Sequence, residues 1–97
     1  MEPTPIEGLR LRRAVLGTLL AAHRPLTVSE VVAELRAAGC TTSPRLAKPM
    51  HMVIADMLAY QVRAGRVRRT ARATYAPVRQ RIPKTTQWRC RHWRDGM

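Results

Sequence analysis

Phenylalanine is absent from this chain, and two Trp and two Tyr are its only aromatic residues. That argues against an aromatic-rich β-sandwich. Leu, Val, Ala and Met supply the apolar mass, which suits packed helices with adaptable Met side chains filling the gaps. The longest apolar run, residues 14–22, is far shorter than the ~20 residues needed to cross a bilayer, so no membrane partner is expected. Two cysteines, Cys40 and Cys90, make no disulfide framework, and no signal peptide is visible. A reduced, cytoplasmic setting is expected, nucleoid-associated if the source is bacterial. Paired carboxylates, a Gly-rich phosphate loop, and a Ser or Cys with a base at motif spacing are all missing, so neither enzymatic activity nor a cofactor is expected.

Acidic residues are scarce where basic ones are dense. The 97 residues carry a net charge of +12. Residues 1–39 hold five Arg against four Glu, whereas residues 40–97 hold thirteen Lys or Arg against Asp56 and Asp95, giving +1 and +11. A general coding bias toward Arg and Ala does not account for the missing acids after Asp56. The asymmetry points to a polyanion on the C-terminal side, most often nucleic acid and less often an acidic membrane surface. The length allows one small domain and a tail, burying only about 60 to 65% of its unfolded surface.

In chain order, residues 1–8 read as a short flexible leader containing Pro3, Pro5 and Gly8. Helical spacing then begins near Leu9, with Leu11, Val15 and Leu19 on one stripe and Leu16 and Leu20 beside it, and should end before Pro25. Thr27-Val28-Ser29-Glu30 has the form of a capping box, with Leu26 and Val31 at the positions of a hydrophobic staple. It predicts a second helix over about 28–38, closed by Gly39, with Cys40 packing back on Leu35. A turn-rich connection follows, in which Pro49 either begins a third helix or kinks one begun at Pro44. From Met50 a helical wheel gathers Val53, Ile54, Met57, Leu58, Gln61 and Ala64 on the core side and leaves Met52, Asp56, Ala59 and Arg63 outside. Beyond Gly65 a short basic hairpin is expected, with Val67 and Tyr75 packing it onto the helices and Pro77 ending it. Residues 79–97 show neither period and read as a mostly flexible basic arm containing Trp88 and Trp93.

The expected class is thus mainly α with a small β-hairpin. With Pro25-Leu-Thr-Val-Ser-Glu-Val-Val-Ala-Glu-Leu35 and Ala55-Asp-Met-Leu-Ala-Tyr-Gln-Val-Arg-Ala-Gly-Arg-Val-Arg-Arg69, residues 9–78 resemble the winged helix-turn-helix family. The resemblance implies three helices plus a wing, with Leu26-Thr27 as a first strand pairing with the hairpin and the loop near Arg72 as the wing. It also implies double-stranded DNA as partner, bound by a small transcriptional regulator or chromosome-associated factor. A third helix of that kind reads base edges near its N-terminus while wing arginines hold phosphates. The corresponding residues are Arg45, Lys48, His51 and Met52 for reading, and Arg66, Arg68, Arg69 and Arg72, followed by Arg79 and Arg81, for the backbone. Asp56 and Ala59 depart from usual base readers, so phosphate contacts should dominate and base specificity should be modest. Six such cations would give a slope of log K against log salt of roughly −5. A homodimer, a protein-binding adaptor using Asp56, Met52 and Ala59, and RNA binding stay open as alternatives.

Weaker signals have plainer explanations. Cys90, His92, Cys40 and His51 lack the tight, repeated spacing of a structural zinc site, so no metal is expected. His23 suits helix-end carbonyls or solvent. In the tail, Trp88 and Trp93 either stack on nucleic acid among the arginines, pack onto the domain or a second copy, or, least readily, adsorb to an anionic membrane.

Overall fold

Leu11, Ala14, Val15, Leu16, Leu19 and Leu20 are all buried along one helix, α1 (Gly8–Ala21), and the rest of the chain is wrapped around it. The structure, a computed structural model, describes residues 2–96. After α1 come β2 (Leu26–Thr27), α2 (Val28–Ala37), α3 (Met50–Arg63), the hairpin strands β4 (Val67–Ala71) and β5 (Thr74–Pro77), and α4 (Lys84–Arg91). Two short strands, β1 (Thr4–Ile6) and β3 (Cys40–Thr42), precede α1 and follow α2. The result is a mixed α/β fold with four helices and small sheets, mostly helical.

The start of α2 is built by the expected capping box. The Thr27 hydroxyl accepts from the Glu30 amide at 3.1 Å, and the Glu30 carboxylate accepts from the Thr27 amide at 2.9 Å. Val31, Val32 and Leu35 form its buried stripe, Gly39 follows with φ +82, and Cys40 joins Leu35 in the core. Pro44 opens a separate 3-10 turn, Pro44–Leu46, which Ala47 ends at φ +54. Pro49 therefore caps α3 rather than kinking it. Within α3, Met50, Val53, Ile54, Leu58 and Gln61 are buried, as the wheel requires, while Ala64 at the C-cap is exposed.

β2, β5 and β4 form a three-stranded antiparallel sheet in that order. Leu26 lies opposite Tyr75 and Val67 opposite Pro77, so the buried Leu26, Tyr75 and Val67 fasten the sheet to the helices. The hairpin turns at Arg72 and Ala73, with Ala73 at φ +50 and a bulge between Arg69 and Ala71.

Both chain ends differ from the expectation of a flexible leader and arm. β1 pairs in parallel with β3, placing Ile6 in the core. Pro5 has no amide to offer, and the ladder uses its neighbours: the Thr4 amide donates to Gly39 at 2.7 Å, and the Ser43 amide donates to the Ile6 carbonyl at 3.0 Å. At the other end α4 packs along α1, burying Ile82, Cys90 and Trp93. Gly17 permits this, because a Cβ there would overlap the Cys90 carbonyl oxygen and crowd the Trp93 ring. The Cα radius of gyration is 12.3 Å, close to the ~13 Å of a folded chain near 100 residues. An extended arm would raise it.

Candidate nucleic-acid interface

The hairpin positions its cations by strand geometry. Successive residues of β4 alternate faces, and Val67 faces the core, so Arg68 points away from it and Arg69 shares the face of Tyr75 opposite. Arg72 occupies the turn. Arg68, Arg69 and Arg72 are exposed, and the only side-chain hydrogen bond among them is a 3.3 Å donation from Arg69 Nε to the Ala71 carbonyl. The tip is held: the Val28 amide donates to the Ala73 carbonyl at 3.1 Å, and the Thr74 hydroxyl donates to the Arg72 carbonyl at 2.8 Å.

Two arginines grouped with these by sequence also make contacts within the fold. Arg66 is half-buried and donates to Gln61 Oε1 at 3.0 Å, satisfying an amide whose residue is fully buried. Arg79 donates to the Leu20 carbonyl at 2.9 Å, supplying α1 with the basic C-terminal group that its own last turn lacks. Arg81 is exposed, its guanidinium near Gly65.

The residues expected to read bases lie before and at the start of α3, roughly 20 Å along the helix from Arg66. His51 and Met52 are exposed. Lys48, however, is paired with Asp56 at 2.9 Å, and Arg45 lies 3.6 Å from Glu7. Each cation is partly neutralised by an acid distant in sequence.

The third ion pair among the described residues, Arg24 with Glu30 at 2.5 Å, extends the α2 cap. The Arg24 guanidinium, helped by the Thr27 amide, holds the Glu30 carboxyl down at about 2, and Glu30 in turn raises Arg24. Among the described residues no ion pair falls in the hairpin.

Cys40 and Cys90 are buried thiols and not a disulfide, and burial pushes both up from the ordinary thiol range. Among the described residues no three His, Cys, Asp or Glu side chains converge as metal ligands, and no helix is long and apolar enough to cross a membrane.

The tail's two tryptophans, read together from the sequence, separate in space. Trp93 is buried with the Arg94 guanidinium 5.4 Å from its ring, whereas Trp88 is 56% exposed and stacked on His92. The aromatic and cationic mixture at 87–94 was the available signal; only the register of α4 against α1 assigns the two rings.

Comparison of the chain with protein-family models, with curated proteins and with solved structures finds no match in any of the three.

Proposed function

We propose that this protein binds duplex DNA as a winged helix-turn-helix domain, acting as a small transcriptional regulator or chromosome-associated factor. The β2-β5-β4 order and the succession of α2, turn and α3 before the hairpin support the winged-helix reading. One observation carries the binding reading. The ion pairs among the described residues involve Arg24, Arg45 and Lys48, leaving Arg68, Arg69 and Arg72 exposed on a braced hairpin without a carboxylate partner.

Arg68, Arg69, Arg72 and Arg81 are the cations best placed to meet phosphates, since Arg66 and Arg79 are engaged with the fold. Four contacts give a salt slope of roughly −3.6, shallower than six would. In an anisotropy titration of random-sequence duplex at two salt concentrations, replacing Arg68, Arg69 and Arg72 with Gln should weaken binding to every sequence and flatten the slope by roughly 2.7. Unchanged affinity and slope would overturn the assignment.

A second reading, a protein-binding adaptor, has its own observation. A recess of about 520 Å³ between α1 and α3 is lined by Leu9, Leu11, Val53, Met57 and Tyr60, with the Lys48 and Asp56 pair at hand. Absence of binding to any nucleic acid at low salt would favour this adaptor over the DNA reading.

A further inference from the structure

The exposed indole of Trp88 is the most unusual surface feature of a chain with only four aromatic residues. Its ring lies 4.2 Å, centroid to centroid, from that of His92 at an interplanar angle of 19°. His92 is fixed in turn, with Nδ1 2.8 Å from the Trp88 carbonyl oxygen. A carbonyl only accepts, so Nδ1 carries the proton and the imidazole is held as one layer of a two-ring stack. The pair lines a recess of about 410 Å³ between α1 and α4, together with Arg10, Arg13 and Arg89. Asp95 lies at its edge.

We propose that this face of α1 and α4 is a second nucleic-acid site, separate from the hairpin, that takes single-stranded nucleic acid by stacking a base in the recess on the Trp88 and His92 pair while arginines hold the adjoining phosphates. The rings offer faces rather than donors or acceptors, and a base inside a duplex already has both of its faces stacked. An unpaired base does not, which selects single strands. Guanidinium groups around an aromatic surface match the alternation of base and phosphate along such a strand. A membrane fits less well. α4 turns Cys90 inward onto α1, and its other side carries Arg89, Arg91, Lys84 and Thr85, leaving no continuous apolar face to enter lipid.

The packing of Trp93 makes the site testable in the intact protein. The Trp88→Ala variant leaves Trp93 as the only indole, and its buried-type emission reports whether α4 remains docked. With a labelled 15-nucleotide oligo-dT, Trp88→Ala should bind roughly 10-fold more weakly than the parent, Trp88→Phe should keep most of the affinity, and binding to random-sequence duplex should change by less than about 2-fold. The Gln triple variant at Arg68, Arg69 and Arg72 should show the reverse pattern. Failure of the hairpin reading is therefore distinguishable from failure of this one. Oligo-dT should also quench the parent's emission but not that of Trp88→Ala. The proposal is overturned if Trp88→Ala with docked α4 binds oligo-dT as the parent does, if the parent shows no quenching, or if anionic phosphatidylglycerol vesicles shift the Trp88 emission while oligo-dT does not.

Discussion

Gly17 and Cys90 meet so closely that the α-carbon of one helix rests against the carbonyl oxygen of the other, with no room for a methyl group between them. Replacing Gly17 with Ala should destabilise the fold by about 1–3 kcal/mol, because the obstacle is backbone and cannot rotate aside. The expected signature is a lower melting temperature with a red-shifted Trp93 emission, as α4 lifts from α1. A melting curve and emission maximum identical to the parent would contradict the packing.

Lys48 and Asp56 are tied at 2.9 Å near the start of the helix proposed to face DNA. The pair is exposed and contributes little to stability. Its effect on binding is larger, since Asp56 both repels phosphate and occupies Lys48. Asp56→Asn should tighten duplex binding several-fold at low salt and steepen the salt slope by about 1, as expected of one additional phosphate contact. Adding Lys48→Ala to that variant should remove the added steepness.

Glu30 titrates at about 2 in the folded protein, below an unfolded carboxylate near 4.3. A depressed folded pKa means that ionised Glu30 favours the native state above the unfolded pKa and that this contribution is lost as pH falls through the folded one. Glu30→Gln should therefore be less stable than the parent at pH 7, and the gap between their urea midpoints should shrink between about pH 4.3 and pH 2. Arg24 is the main cause of the shift, so Arg24→Ala should raise the Glu30 pKa, measured by NMR titration.

Ala73 holds φ +50 in the hairpin turn, a left-handed conformation that costs a residue with a β-carbon about 1–2 kcal/mol. Ala73→Gly should stabilise the protein by about 0.5–1 kcal/mol once the greater unfolded-state freedom of glycine is set against that relief. Equilibrium urea unfolding measures it, and duplex affinity should be unchanged because the variant alters no charge.

The parts of this fold that can be read from sequence are those whose cause is local. Leu11, Val15 and Leu19 recur at helical spacing, Thr27 and Glu30 close a ring within one turn, and Val67 and Tyr75 are the large apolar residues of a short basic hairpin. The ends are different. β1 contributes one buried side chain, Ile6, and pairs in parallel with a strand on the far side of two helices, so no neighbouring residue announces it. α4 buries only Cys90 within its own length, and the complementary feature on α1 is the absent side chain of Gly17, which a hydrophobic pattern registers as nothing. At the candidate interface the density of positive charge is plain from composition. Its division is not: Arg79 is spent on Leu20 and Lys48 on Asp56, and each pairing depends on how separate segments come together.

The bond from the Val28 amide to the Ala73 carbonyl also bears on how the protein is degraded. A trypsin-like protease cuts after arginine, and the hairpin, with Arg66, Arg68, Arg69 and Arg72 within seven positions, is the densest such stretch in the chain. Cleavage requires the segment to be drawn out into the enzyme's cleft, yet β4 is laddered to β5, which pairs in turn with β2, and the hairpin is latched at its tip to the start of α2. The most cleavable sequence is thus guarded by its pairing, and its lifetime against proteolysis should follow the opening of this hairpin rather than the exposure of its side chains.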